Sequence, residues 1–284
     1  MEQNTLTEIP ARLVAELRAR TNSSMMDCKK ALQATGGDLD KAVLELRKRG
    51  QASAEKKASR TAKEGVIAAA LAPDLTAGVL VEVNCETDFV ARNSEFIAFA
   101  DQVAQKSLAD PKTDFKADCV AAVGKLGENI MVRRALKFER QGPGLIGRYI
   151  HLGNKLGVLI EVGCKLEASV PGQGLRDLAK DLMHQIAAAN PLVVKREQVP
   201  PAILEREKEI FSAQVKNKPA NIVEKIVQGK LDKFLAGVSL LEQAFVKNTD
   251  LTIREHIAAA SKAAGDEFCV RRFVRFQVGE EIAS

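Results

Sequence analysis

The chain writes one short strand twice. Residues 78–85 read GVLVEVNC and residues 157–164 read GVLIEVGC, 79 positions further on. The same offset of 79 lays Gly65, Val66 and Ile67 on Gly144, Leu145 and Ile146, and Phe96, Phe99, Ala100 and Val103 on Leu175, Leu178, Ala179 and Leu182. One offset serving three separate segments points to a duplicated folding unit rather than chance similarity. The closing strands match as well: Val132, Arg133, Arg134 and Phe138 answer Val270, Arg271, Arg272 and Phe276, now 138 positions apart. The second copy therefore carries an insertion of about 59 residues between its helix and its last strand.

In the first copy, Val79, Val81 and Val83 share one face of the strand and Leu80, Glu82 and Asn84 the other, which predicts a half-buried strand. The strand leads into Thr87, Asp88, Phe89 and Val90, where an acid and a large aromatic sit together before a helix N-capped by Asn93 or Ser94. Loops at strand ends commonly carry function. In the second copy Leu166, Glu167 and Ala168 stand where Thr87, Asp88 and Phe89 stand, so the shared fold does not demand the Asp-Phe pair. On the residues alone a plainer reading stays open, with Phe89 covering the core and Asp88 capping the next helix.

Residues 1–50 predict a small module of three helices, at about 10–20, 24–35 and 38–49. Thr7 stands near the first start, Ser24 with Asp27 and Asp38 mark the next two starts, and Gly36-Gly37 stops the second helix. Its core is expected from Leu13, Val14, Leu17, Ala31, Leu32, Leu39, Val43, Leu44 and Leu46. So small a core suits docking better than chemistry. Met25 and Met26 open the second helix, and since adjacent helical residues do not share a face, one of them is expected to meet a partner.

Residues 51–64, rich in Ala, Ser, Lys and Arg, read as a linker or loosely held helix. A first core subdomain at 65–141 and a second at 142–284 follow, each predicted as strand, strand, helices and closing strand, which makes the chain α+β. The insertion, about 195–247, carries two apolar stripes around an Asn217-Lys218-Pro219 turn and predicts an antiparallel helical hairpin. With little core of its own, it is expected to meet another protein or a second copy of this chain.

Several functions fall away. Residues 142–147 satisfy G-x-G-x-x-G but are followed by a strand, not the helix a dinucleotide site requires, and no P-loop motif occurs. His151, His184 and His256 lie at no metal-ligand spacing, so neither a metal nor a cofactor is expected. The five cysteines form no C-x-x-C pair and read as reduced thiols of a cytoplasmic protein. No apolar run could span a bilayer, so no membrane is expected. A net charge of +5 with few aromatics makes nucleic acid a poor match, and Arg133, Arg134, Arg271 and Arg272 are expected to pair with acids at the sheet surface. His151, just before a Gly153-Asn154 turn, can project as a contact residue.

Residues 11–50, 79–100, 126–134, 149–162 and 273–282, and above all the pieces MMDCKKAL and TDFV in that order, resemble the bacterial-type elongation factor Ts family, guanine-nucleotide exchange factors of elongation factor Tu. The resemblance spans nearly the whole chain. It implies a ubiquitin-associated-like N-terminal module, a duplicated core with small antiparallel sheets, and a helical-hairpin insertion. It also implies partner contacts at Thr87, Asp88, Phe89 and Val90, with Asp88 and Phe89 intruding beside the partner's magnesium site. His151 and Leu126 would be core contacts, and Met25 and Met26 contacts of the module. The family does no covalent chemistry of its own. The alternative is a non-catalytic binding or chaperone-like protein, RNA-associated in one variant, and nucleotide release from a GTPase separates the two.

Overall fold

A computed structural model of the chain describes residues 9–21, 23–215 and 219–281. Thr7 and the Asn217-Lys218 turn lie outside them. Helices and small antiparallel sheets are mixed along the chain, the expected α+β class. Two compact units emerge. One comprises the chain up to Ala68, Val81–Ala135 and the segment from Val278, and the other Ala69–Leu80 and Leu136–Gln277.

The first unit opens with helices α1 (Ala11–Thr21), α2 (Met25–Ala34) and α3 (Leu39–Lys57). Ser24 Oγ accepts the Asp27 amide at 3.1 Å and the Asp38 carboxylate accepts that of Lys41 at 3.0 Å, each satisfying a donor that a helix start leaves open. Gly36 and Gly37, at φ of +63° and +85°, make the turn between α2 and α3. Val14, Leu17, Cys28, Ala31, Leu32 and Ala42 form the buried centre, with Leu13, Leu39, Val43 and Leu46 packed against it. Leu44, expected in this core, is 57% exposed. It stands one step round the helix from Val43, about 100° away.

Helix α3 does not end near Arg49 but continues to Lys57, so the first half of the stretch read as a linker or loosely held helix is helical. Gly50 lies inside that run and faces another helix. A Cβ on Gly124 would lie 3.8 Å from the Gly50 Cα, and one on Gly50 would lie 3.9 Å from a Val120 methyl. The glycine thus serves as a contact surface for another helix. Lys57 Nζ then donates to the Gly127 carbonyl at 2.7 Å, and Asn129 Nδ2 to the Arg60 carbonyl at 2.8 Å.

Strands β1 (Glu64–Leu71) and β2 (Ala77–Cys85) are followed by the one-turn α4 (Asp88–Ala91), by α5 (Ser94–Ala109), α6 (Lys116–Leu126) and β3 (Met131–Glu139), with sheet order β1-β2-β3. Strand β2 is buried from Gly78 to Cys85 on both faces, not half-buried. As the central strand it carries Glu82 inward. Glu82 accepts from Arg134 Nε at 2.7 Å, Arg133 Nη1 at 3.0 Å, the Gly279 amide at 2.9 Å and Asn84 Nδ2 at 3.2 Å. Burial pushes this carboxyl up, but the Gly279 amide, the two guanidinium groups and Asn84 together hold it below its ordinary range.

The second unit repeats that arrangement. Strands β4 (Gly144–Ile150) and β5 (Leu156–Gly163) precede α7 (Gln173–Ala189), the long arms α8 (Pro201–Gln214) and α9 (Ala220–Val238), the short β6 (Ala244–Phe245) and β7 (Asn248–Thr252), helix α10 (Ile253–Ala264) and β8 (Cys269–Gln277). The sheet runs β4-β5-β8, antiparallel throughout. Buried Glu161 accepts from Arg271 Nη1 at 3.1 Å, Arg272 Nε at 2.8 Å and the Gln141 amide. The four arginines do pair with acids, but the acids are wholly buried rather than at a sheet surface. Gly144, within the rejected G-x-G-x-x-G, is explained by packing: at φ +146° its Cβ would fall 2.3 Å from the Val162 carbonyl oxygen, as that of Gly65 would fall 2.1 Å from Val83's.

Leu145, Val158, Ile160, Leu175, Leu182 and Ile186 centre the core of this unit. Within the stretch read as insertion, the helical arms fill only Pro201–Val238; Leu240, Leu241 and Phe245 belong to the core. The base of the arms is fixed by Arg196, whose Nε and Nη2 reach Glu242 at 2.8 and 2.5 Å. That bond and the guanidinium charge hold Glu242 below the usual carboxylate range.

Candidate functional site

The turn after β2 is held by one carboxylate. Glu128, two residues past the end of α6, accepts the Glu86 amide at 3.0 Å and the Thr87 amide at 2.9 Å on Oε2, and the Thr87 hydroxyl at 2.5 Å on Oε1. The Glu86 carboxylate accepts the Asn129 amide at 2.7 Å in return. Bonds to an ionised acceptor are about twice as strong as neutral ones, so residues 86–87 and 128–129 form a locked pair of loops. Thr87 caps α4, its Oγ1 accepting the Val90 amide at 3.3 Å, and Cys85 Sγ donates to the Thr87 carbonyl at 3.2 Å. Asn93 then caps α5, one of the two capping residues expected from sequence.

What this scaffold presents is a phenyl ring. Phe89 is 83% exposed, so the plainer reading in which it covers the core does not hold. Burying such a side chain would return about 1.5–3 kcal/mol, which the fold forgoes. Asp88 bonds forward along the turn, to Arg92 Nη2 at 3.0 Å. Val90 is half-buried, and Ala91 is buried.

The second copy keeps the scaffold and changes the cargo. Asp266 stands 138 positions after Glu128 and accepts the Lys165 and Leu166 amides at 3.1 and 3.2 Å; Cys164 Sγ donates to the Leu166 carbonyl at 3.3 Å. Burial raises the Asp266 carboxyl, but the Ser169 hydroxyl and the amides of Glu267, Leu166 and Lys165 outweigh it and hold the group below its usual range. A single 3-10 turn, Glu167–Ser169, replaces α4, with Ala168 at the place of Phe89. Glu128 and Asp266 escaped the sequence reading, although the offset of the closing strands pairs them and both are acids.

The structure brings Thr87, Asp88, Phe89, Val90 and the half-buried Leu126 to one end of the first unit, where Leu126 closes α6 just before the Gly127–Glu128 turn. Met25 and Met26 belong to the same unit, on α2, 48% and 61% exposed. Both face outward, where the sequence asked for one, because Cys28, Ala31 and Leu32 already fill the module's centre. His151 stands in the other unit, exposed at the β4–β5 hairpin. Among the described residues, no helix is long and apolar enough to cross a membrane, and no three His, Cys, Asp or Glu gather as a metal site would need.

Comparison with known proteins gives the site its context. The family profile described as "Elongation factor TS" matches residues 86–280. An elongation factor Ts of Clostridium botulinum (strain Alaska E43 / Type E3) is 45% identical over 96% of this chain and 94% of its own length. Those of a Nitratiruptor species and of Trichlorobacter lovleyi are 43% and 42% identical over 96% of this chain and 94% and 93% of theirs. At that identity and coverage, with the TDFV turn inside the matched region, the chain belongs to the elongation factor Ts family of translation elongation factors.

Proposed function

We propose that this chain accelerates GDP release from an elongation factor Tu-like GTPase in the cytoplasm, and that the turn of Thr87, Asp88, Phe89 and Val90 is the element that does so. A GTPase of that kind holds its nucleotide through backbone N–H groups, a lysine and Mg²⁺, so release requires displacement of those groups and no broken bond. Phe89 acts as a wedge between partner segments near the metal, and the Asp88 carboxylate disturbs the local charge balance. The observation that carries this reading is the exposed phenyl ring on a turn braced by Glu128, in one copy of a scaffold whose other copy has Ala168 there. An exposed ring on a floppy loop would lose its placement; this one does not.

The remaining contacts follow the same reading. Leu126 adjoins the wedge, His151 contacts the partner from the second unit, and Met25 and Met26 dock the ubiquitin-associated-like module of residues 1–50. The arms α8 and α9, in which Val227 is buried while Ile210 and Ile222 are exposed, engage the partner or a second copy of the chain.

Affinity is linked. A factor that weakens nucleotide binding a thousandfold must itself bind the empty partner that much more tightly, about 4 kcal/mol shared over several contacts. The test is stopped-flow release of fluorescent GDP from the GTPase at saturating factor. The double variant Asp88→Ala, Phe89→Ala is expected to lose most of the stimulation while remaining folded; full stimulation would sink the proposal.

A further inference from the structure

His151 is exposed, yet its side chain is not adrift. Its backbone closes the β4–β5 hairpin, the amide donating to the Leu156 carbonyl at 2.9 Å and the carbonyl accepting the Asn154 amide at 3.0 Å. Gly153 and Asn154, at φ of +82° and +57°, supply the left-handed turn this requires. Two residues earlier, and so on the same face of the chain, Tyr149 packs against the core of its unit. Its hydroxyl lies 2.7 Å from His151 Nδ1, a short hydrogen bond between an anchored ring and an exposed one. The His184 ring on α7 meets the Tyr149 ring edge to face at 4.9 Å and 88°, limiting its swing. Burial and then the charges of Lys247 and Lys180 push His184 toward its neutral form.

We infer that Tyr149 is a positioning residue for His151: its hydroxyl donates to Nδ1, fixes the neutral imidazole as the Nε2–H tautomer, and so presents an N–H donor to a carbonyl or carboxylate oxygen on the partner protein. The inference rests on the reading of His151 as a partner contact. The pair can bond in two senses, Tyr149 O–H to Nδ1 or Nδ1–H to the Tyr149 oxygen; a phenol is a better donor than acceptor, which favours the first, with the proton on Nε2. Which nitrogen carries the proton is set by the bond the other one makes. Holding the ring in advance also removes part of the ordering cost that an exposed side chain meets on binding. Sequence spacing alone shows His151 projecting; only the geometry shows what aims it.

Two measurements on the full chain test this. Two-bond ¹H–¹⁵N correlation of the imidazole at about pH 8, above the ordinary histidine range, is expected to show His151 with protonated Nε2 and bare Nδ1, and a tautomer mixture in Tyr149→Phe. A protonated Nδ1 in the unaltered protein overturns the inference. In exchange assays Tyr149→Phe is expected to raise the factor concentration for half-maximal GDP release about three- to tenfold, the worth of one hydrogen bond, with the maximal rate unchanged and no further effect in a His151→Ala background. If His151→Ala raises that concentration and Tyr149→Phe does not, the positioning role is wrong while the contact stands. If neither does, the contact assignment itself falls, and the inference with it.

Discussion

Thr87 and Glu128, 41 positions apart, are joined at both carboxylate oxygens: the Thr87 amide bonds one and the Thr87 hydroxyl the other. Glu128→Ala removes the acceptor of three donors at once. Charge-assisted hydrogen bonds are worth about 1.5–3 kcal/mol each when their partner stays behind, so the turn should loosen locally. The expected result is stimulated GDP release slowed about tenfold or more with the global melting transition retained, read by stopped flow and calorimetry. Unchanged release would mean that the brace does not govern the turn.

Phe89→Ala separates function from stability. The ring is exposed, so its removal should change unfolding free energy by no more than about 0.5 kcal/mol in urea, while release slows substantially. A loss of several kcal/mol would show that Phe89 is a packing residue after all.

Glu82 predicts an acid limit to stability. Its carboxyl is held below its ordinary 4.5 in the folded chain, so its contribution is fully present above about pH 4.5 and is lost as pH falls through the lower folded value, where the unfolded state binds the proton more readily. Stability measured from pH 6 downward to about pH 3 should therefore fall, and Glu82→Gln should flatten that fall while lowering stability at neutral pH by about 3–5 kcal/mol, because two largely buried guanidinium groups lose their counter-charge. A Glu82→Gln profile parallel to the parent's would refute it.

The arms should be removable only if cut inside their base. Replacing residues 201–238 with a short linker is expected to leave a soluble chain with a cooperative melting transition. Extending the cut through Leu240, Leu241 and Phe245 removes core side chains worth about 2–5 kcal/mol apiece and should give a molten product. A molten product from the shorter cut would place the arms in the fold's own stability.

Much of this was legible in the residues because periodicity and repetition report burial. The equal spacing of Gly65 with Gly144 and of Glu82 with Glu161 already described a scaffold built twice, and the capping residues Ser24, Asp38 and Asn93 placed helix starts closely. The rest shares one physical source: a residue's type reports its local surroundings, whereas these roles are set at a distance. The packing of Gly50 on a distant helix is invisible until Gly124 is seen against it. Glu82 looks like a solvent-facing residue until Arg133 and Arg134 arrive from the neighbouring strand. Glu128 carries no local pattern at all, since its donors lie about 40 positions earlier. The site's ring was visible in sequence; the brace that aims it was not.

The unbroken run of α3 through Gly50 changes what kind of grip the first unit can exert. Had residues 51–64 been a free tether, the module's methionines would search a volume around the turn, and the effective concentration of the second contact would be set by tether length. A continuous helix seated on α6 and latched by Lys57 to the Gly127 carbonyl removes that search. Under the proposed function, Met25, Met26 and Phe89 would then be marks on a ruler, and a target would be selected by the distance between its two receiving surfaces as much as by their chemistry.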